Sequence, residues 1–142
     1  MSDPKSYFNK QLAEFYKQSE IDHIWNEAKH FNYPLESEEI LEDCIERLIE
    51  NEPYQYIFGR AYFYNFELSV TKDVLIPRPE TEELLHLISK EWEGLSPKII
   101  DIGTGSGCLA LGLGRLIENA EVTALDVSPK AFIFFTILAY GI

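Results

Sequence analysis

The spacing of hydrophobic residues changes near residue 51 of this chain of 142 residues. Before that point, apolar residues recur at steps of three and four, which is the spacing of one face of an α-helix. Three such stripes predict three helices that pack on one another. Their apolar positions are Tyr7, Phe8, Leu12 and Phe15, then Ile21, Ile24, Trp25, Ala28 and Phe31, then Ile40, Leu41, Cys44, Ile45, Leu48 and Ile49. The second stripe follows Ser19, and Ser37 is the expected capping side chain of the third helix.

After residue 51 the period becomes two. Residues 61–64 and 66–70 flank Asn65, and their alternation predicts a β-hairpin. Two prolines then require an extended segment over residues 74–79. A helix capped by Thr81 should follow, and its expected buried face consists of Leu84, Leu85, Leu87 and Ile88.

The remaining pattern is that of a β-α-β unit. Residues 98–102 are short and apolar, like a strand buried on both faces. Residues 108–117 predict a helix that is weakened by two internal glycines, and residues 121–126 predict a second strand. A glycine-rich loop therefore lies between a strand and a helix.

Gly103, Gly105 and Gly107 allow this loop to turn sharply and leave no side chains between backbone and ligand. Asp126 ends the next strand, where a carboxylate can accept hydrogen bonds from both hydroxyls of a ribose. The dinucleotide fingerprint would require glycine or alanine in place of Cys108, so NAD and FAD are disfavoured. S-adenosylmethionine, an adenosine-type ligand without pyrophosphate, fits the pattern. The alternative is a tight turn without ligand, with Asp126 capping a helix that begins at Ser128-Pro129.

Two further residues are candidates for contact with a ligand. Asp101, directly before the loop, can accept hydrogen bonds from loop amides or from a ligand ammonium group. Arg78 follows Pro77 on a stiff segment that can aim its side chain at a pocket. A surface ion pair with Glu80 or Glu82 is the alternative for Arg78, and composition alone favours it.

Composition and charge exclude other classes of function. The chain has 12 Lys+Arg against 24 Asp+Glu, a formal net charge of −12, so we expect no direct binding of nucleic acid. Cys44 and Cys108 have no partner at ligand spacing, which predicts neither a disulfide nor a zinc site and fits a cytoplasmic protein. No apolar stretch approaches the roughly 20 residues that a membrane span requires.

The order of three motifs is distinctive. These are Pro-Tyr-Gln-Tyr-Ile-Phe-Gly at residues 53–59, Leu-Ile-Pro-Arg-Pro-Glu-Thr-Glu at 75–82 and Asp-Ile-Gly-Thr-Gly-Ser-Gly at 101–107. Over residues 1 to about 131 the chain resembles the HemK/PrmC methyltransferases, which methylate the N(5) amide of a glutamine in bacterial peptide chain release factors. The resemblance implies an α/β fold with three parts. A helical, release-factor-binding domain would span residues 1–52, a β-hairpin linker residues 53–76, and the first part of a Rossmann-like methyltransferase domain residues 77–142.

The resemblance also implies which residues bind S-adenosyl-L-methionine. They are Gly103, Thr104, Gly105, Ser106 and Gly107 of the loop, Asp101 and Asp126, with Pro77 and Arg78 bordering the pocket. The implied partners are peptide chain release factors. We predict no catalytic residue, because the substrate motif Asn-Pro-Pro-Tyr of the family appears nowhere in this sequence, and no metal ligand.

The final residues depart from the family pattern. After Lys130 the sequence contains no charge, although an amphipathic helix should follow the second strand. We therefore expect a C-terminally truncated or frame-shifted chain, inactive alone, with weak or absent binding of S-adenosylmethionine. An Asn-Pro-Pro-Tyr segment in some frame of the downstream DNA would support this expectation. Two alternatives stay open: an adenine N(6) methyltransferase of nucleic acid, and a non-catalytic binding fragment.

Overall fold

A computed structural model describes residues 3–131 of the chain. Within them the backbone forms a mixture of helices and strands, with two sheets of two strands each. Backbone contacts divide the chain into two units, Met1–Phe58 and Gly59–Ile142. We call these the helical unit and the α/β unit.

The helical unit contains the three helices that the apolar stripes predicted. They are α1 (Pro4–Leu12), α2 (Gln18–His30) and α3 (Glu38–Ile49). Their stripes meet in one core that buries Phe8, Leu12, Ile21, Ile24, Trp25, Ala28, Leu35, Leu41, Cys44, Ile45 and Leu48. The helical periodicity of this half of the sequence is thus explained by ordinary core packing.

The helix starts differ from the predicted caps. Ser37 occupies the N-cap position of α3, but its side chain makes no capping hydrogen bond. Helix α2 begins at Gln18, one residue before Ser19, and Lys17 is its N-cap. The Lys17 N–H donates to Oε2 of Glu20 over 2.8 Å, so a carboxylate in the first turn satisfies a backbone donor at the helix start.

A further short helix, α4 (Tyr54–Phe58), follows Pro53. Its Ile57 and Phe58 are buried in the core of the helical unit. By their contacts these residues belong to the helical unit, whereas the predicted boundary assigned them to the hairpin linker. The predicted three-part division itself stays a prediction.

The predicted hairpin is present in the α/β unit. Strand β1 (Arg60–Phe63) pairs antiparallel with β2 (Phe66–Ser69), and Phe63 lies opposite Phe66. The two residues between the strands form the turn, and Tyr64 has a φ of 55°, as the first central residue of a primed hairpin turn requires. The Tyr64 N–H donates to Oε1 of Glu82 over 2.6 Å, which ties the turn to the following helix.

The β-α-β unit is also confirmed. Strands β3 (Lys98–Ile102) and β4 (Glu121–Leu125) are parallel, and α6 (Cys108–Leu116) connects them and packs on both. Helix α5 (Pro79–Glu91) packs against α6. The hairpin and these helices share a core of buried Phe63, Phe66, Leu68, Leu85, Leu113 and Ile117.

Helix α5 is capped three residues earlier than predicted. Arg78 is its N-cap with an extended φ of −109° and ψ of 148°, and Pro79 is its first helical residue. Proline suits this position because its φ is already helical and the first turn does not need its missing N–H. The Thr81 N–H donates to the Arg78 carbonyl over 2.9 Å, so Thr81 lies inside the first turn instead of capping it.

The predicted burial of two segments is wrong. In α5 only Leu85 is buried, while Leu84 and Leu87 are 45% and 65% exposed. In β3, Ile100 and Ile102 are 63% and 80% exposed, although we expected a strand buried on both faces. Helix α6 covers the opposite face of the β3–β4 pair, so in the described chain these isoleucines meet no covering layer.

Two remaining expectations concern the end of the chain and membranes. The uncharged segment after Lys130 lies, apart from Ala131, outside the described residues. Across residues 3–131, no helix has both the length and the apolar character needed to cross a bilayer.

Candidate functional site

A cleft of about 200 Å³ opens beside the glycine loop of the α/β unit. Its lining comes from residues 75–78 with Thr81, from Asp101 with residues 103–106, and from Cys108 and Leu109 of α6. The structure thus brings together seven of the nine predicted site residues, which are Pro77, Arg78, Asp101, Gly103, Thr104, Gly105 and Ser106. Gly107 and Asp126 are outside this lining.

The loop conformation explains its glycines. Gly103, Gly105 and Gly107 have φ values of 80°, 55° and 76°. Residues with a side chain adopt such positive φ values only with backbone strain. A Cβ built on Gly103 or Gly105 would meet no atom within 4 Å, so the space beside the loop is open to a ligand. Two loop amides, those of Gly103 and Thr104, donate to the Leu125 carbonyl over 2.7 and 3.0 Å, which fixes the loop against the end of β4.

Asp126 holds the loop from the neighbouring strand end. Its Oδ2 accepts a hydrogen bond from the Gly105 N–H and its Oδ1 one from the Ser128 N–H, each over 2.8 Å. These bonds, that of Ser128 first, lower the pKa of the Asp126 carboxyl. The bond to Ser128 is the one expected of a simple helix cap, whereas the bond to Gly105 joins Asp126 to the candidate site. Each carboxylate oxygen keeps a second acceptor position, and the ribose contact stays a prediction.

Asp101 has a partner that the sequence analysis missed. The hydroxyl of Thr104, a side chain that is 7% exposed, donates to Oδ2 of Asp101 over 2.7 Å. We expected donors among the loop amides. The spacing Asp-x-x-Thr carried the signal, because a loop that turns back on its strand brings residues three apart within reach. This bond fixes the orientation of the Asp101 carboxylate beside the cleft.

Arg78 lies at the cleft and not in the surface ion pair that composition favoured. Its side chain is exposed, and among the described residues it pairs with neither Glu80 nor Glu82. Glu82 instead accepts the hydrogen bond from the Tyr64 N–H. Because Arg78 is the N-cap of α5 and lines the cleft, its backbone position is fixed where its side chain can reach a ligand.

Cys108 is a lining residue that the sequence analysis did not assign to the site. Its thiol is half-buried, and burial raises its pKa, although a hydrogen bond with the Ser106 side chain opposes the shift. A thiol in this state is a small apolar wall of the cleft and a poor nucleophile at neutral pH. Across the part of the chain that the structure describes, no three His, Cys, Asp or Glu side chains form a metal-binding group.

The cleft fits part of an adenosine-type ligand. Pockets that enclose such ligands usually have about 300–1,000 Å³, so the described residues would enclose only a portion of one. The open backbone of the loop offers a surface for a flat or apolar group, and Asp101 and Asp126 supply negative charge for a cation and acceptors for hydroxyls. These carboxylates can accept hydrogen bonds from an ammonium group and from ribose hydroxyls, both of which S-adenosylmethionine carries.

No protein-family model matches the chain. Among curated proteins, it is 51% identical over 92 residues to the release factor glutamine methyltransferase of Lactococcus lactis, covering 65% of this chain and 34% of that protein. It is 39% identical over 133 residues to the protein of that name from Flavobacterium psychrophilum, covering 89% of this chain and 45% of the relative. The chain therefore spans less than half the length of the relatives it matches. These similarities confirm the resemblance that the order of motifs predicted.

Proposed function

From its relationship to the release factor glutamine methyltransferases, we propose that this chain is the cofactor-binding part of an S-adenosylmethionine-dependent protein methyltransferase. The complete activity would methylate the side-chain amide of a glutamine in a peptide chain release factor. The observation that carries the proposal is the cleft, in which residues 76–78 and the loop 101–106 meet. Both segments belong to the motifs whose order carries the resemblance, and the segment with residues 76–78 is the one that other methyltransferases lack.

The α/β unit would be the beginning of a Rossmann-like domain. Its parallel β3 and β4, with α6 between them, have the strand-loop-helix-strand order on which such domains bind nucleosides. The finding that Asp126 follows β4 and reaches the loop supports this assignment. In open α/β folds, ligands bind beside the carboxyl ends of the parallel strands.

Each residue of the cleft would have a separate task. S-adenosylmethionine supplies an electrophilic methyl group on its sulfonium. The loop backbone at Gly103 and Gly105 would pack against the ligand, and Asp126 would accept hydrogen bonds from its ribose hydroxyls. Asp101, oriented by Thr104, would face its ammonium group. Pro77 and Arg78 would border the same ligand.

The release factor would be the substrate, held in part by the helical domain predicted at residues 1–52. The Asn-Pro-Pro-Tyr motif that the family uses to hold the glutamine amide is absent from these 142 residues. We therefore expect no methyl transfer to release factor by this chain alone. The proposed site of action is the cytoplasm, where release factors work.

Titration of the chain with S-adenosylmethionine, followed by ligand-observed NMR, tests the cofactor assignment. We expect saturable binding with a dissociation constant on the order of 100 μM or weaker, because the cleft encloses only part of the ligand. Asp126→Ala should abolish it. Asp22→Ala, which removes an exposed carboxylate of the helical unit that pairs with Lys5, is the matched control and should leave it unchanged. Absence of saturation at about 5 mM, or equal binding of NAD, would refute the proposal.

The two alternatives have their own tests. An adenine N(6) methyltransferase would need to bind nucleic acid, and a gel shift with DNA that weakens as salt rises would favour it. The net charge of −12 and the names of the relatives speak against it. A purely non-catalytic binding module would capture release factor equally well with and without S-adenosylmethionine, which a pull-down under both conditions measures.

A further inference from the structure

A second cavity lies in the helical unit, and none of the residues proposed to bind S-adenosylmethionine lines it. Its volume is about 370 Å³, large enough for a side chain with its hydrating water. We call it the tyrosine groove, and it is lined by Tyr16, Ser19, Glu20, His23, Ile24 and Tyr54. The lining thus combines two phenol rings with one carboxylate and contains no lysine or arginine.

Hydrogen bonds hold both phenol rings in place. The Tyr16 hydroxyl donates to the Leu48 carbonyl over 2.7 Å. The Tyr54 hydroxyl lies 3.0 Å from Nε2 of His23, and the two rings meet edge to face with centroids 5.6 Å apart. Because each ring is fixed at its polar end, the aromatic surface of the groove exists before any partner arrives, which lowers the entropic cost of binding.

Negative charge surrounds these rings. One oxygen of Glu20 accepts the Lys17 N–H, and its other oxygen has no partner among the described residues. Glu27 lies seven residues on, along the same face of α2. The pKa of the Tyr16 hydroxyl is raised by burial and then by the charge of Glu20, and that of Tyr54 by burial and then by Glu27. Both carboxylates are therefore close enough to act on the groove.

The helical unit as a whole is also negatively charged. Residues 1–58 contain 13 Asp and Glu against 5 Lys and Arg. Two of these few basic side chains are already engaged at other places, Lys5 with Asp22 and Arg47 with Glu52. A positively charged group approaching the groove thus meets an attractive field and no competing cation in its lining.

We propose that the tyrosine groove binds an arginine side chain of a partner protein. A guanidinium group is planar, stacks on aromatic rings and forms paired hydrogen bonds with a carboxylate. Tyr16, Tyr54 and Glu20 supply those two kinds of contact. A lysine ammonium is more strongly hydrated and cannot stack, and a purely apolar side chain has no donor for the second oxygen of Glu20.

NMR titration of the isotope-labelled 142-residue chain with N-acetyl-arginine amide tests this proposal. We expect saturable shifts of the Ser19, Glu20 and His23 amides. N-acetyl-lysine amide should bind about five-fold more weakly, and N-acetyl-norleucine amide should not bind measurably. Comparable affinity for all three probes, or shifts spread over the whole acidic surface without saturation, would overturn the proposal.

Matched variants distinguish binding in the tyrosine groove from general attraction to the acidic surface. Glu20→Gln removes the charge but keeps an oxygen that can accept the Lys17 N–H, so α2 keeps its start. We expect about five-fold weaker binding of the arginine probe, whereas Glu42→Gln, at an exposed position of α3, should leave it unchanged. Tyr54→Leu, which removes the ring, should weaken binding more than Tyr54→Phe, which removes only the hydrogen bond to His23. Equal effects of the two glutamine variants would show that the site does not exist.

The proposal stands apart from the cofactor cleft. It involves only residues of the helical unit, and none of the probes resembles S-adenosylmethionine. Failure of the arginine probe to bind would therefore leave the methyltransferase assignment untouched, and failure of S-adenosylmethionine to bind would leave the tyrosine groove untouched.

Discussion

Replacing Gly112 or Gly114 of α6 with alanine adds the same methyl group at a crowded position and at an open one. A Cβ added at Gly112 would lie 2.5 Å from Cδ2 and 2.9 Å from Cδ1 of Leu85, a side chain of α5 with no exposed surface. At Gly114 it would lie 3.8 Å from Cγ2 of Val122, which is an ordinary contact. We expect Gly112→Ala to destabilise the α/β unit and Gly114→Ala to stabilise it.

The magnitudes follow from two opposing effects. Inside a helix, alanine is favoured over glycine by about 1 kcal/mol, and this gain applies at both positions. Forcing a methyl group into a filled core costs roughly 1–3 kcal/mol, and only Gly112 incurs this cost because Leu85 is fully buried there. The free energy of unfolding should therefore fall by up to about 2 kcal/mol in Gly112→Ala and rise by up to about 1 kcal/mol in Gly114→Ala.

Hydrogen exchange read by mass spectrometry at increasing urea measures this free energy for the α/β unit alone. Fluorescence of the whole chain would not, since Trp25 lies in the helical unit and Trp92 in the other. In peptides from α5 and α6, the urea concentration at which exchange becomes fast should fall in Gly112→Ala and rise in Gly114→Ala. In a Leu85→Val background, which lacks the δ carbons, Gly112→Ala should lose its penalty. Equal stabilisation by both alanines in the original background would refute the close contact between α5 and α6.

Two further predictions concern charged groups. The lowered pKa of Asp126 means that its two backbone hydrogen bonds stabilise the fold above the unfolded pKa of about 3.9 and are lost as pH falls through the folded value. The Gly105 amide signal should then shift with a midpoint below pH 3.8, not at or above it, and Asp126→Asn should remove the transition. Arg47 forms two hydrogen bonds with Glu52, of 3.0 and 2.7 Å, which raise its pKa. Arg47→Lys keeps the charge but not the paired geometry, so hydrogen exchange of α3 peptides at increasing urea should show an unfolding free energy lower by about 1 kcal/mol, and an unchanged value would contradict this.

Long periodic segments were predictable and short ones were not. Helices α2 and α3 each repeat the apolar spacing over several turns, so their existence and packing follow from the sequence alone. Helix α4 has five residues, Tyr54–Phe58, which is too short for a period to distinguish helix from strand. The start of α5 was misplaced because Thr81 is a good capping residue by type, whereas Pro79 at the first helical position decides the geometry.

Burial was harder to predict than secondary structure. Ile100 and Ile102 have the composition of a strand covered on both sides, but exposure depends on which elements lie over each face. For the same reason Leu84 and Leu87 point away from the core although they share a helix with buried Leu85. Hydrophobicity predicts that a segment belongs in a sheet or helix, and only the packed structure assigns its faces.

In the candidate site, too, features within one segment were predictable, whereas contacts between distant segments were not. Spacing alone was enough to predict the loop and Asp126 as a ligand site. Pro77 and Arg78 were assigned to the cofactor through the resemblance, because proximity between residue 78 and residue 101 depends on how α5 packs on α6. The hydrogen bond from the Gly105 N–H to Asp126 joins residues 21 apart in sequence, and it requires the parallel register of β3 and β4. No local pattern carries that information.

The amide contacts of Asp126 are compatible with its proposed ribose contact, although the sequence presented helix capping and ligand binding as alternatives. Its carboxylate oxygens are each engaged by one backbone N–H, and one of those donors is the loop amide of Gly105. A carboxylate has about four acceptor positions, so ribose hydroxyls can be accepted without releasing either amide. The residue can therefore set the loop in place before a ligand arrives and bind the ligand afterwards. Helix capping therefore does not exclude the proposed ribose contact at Asp126.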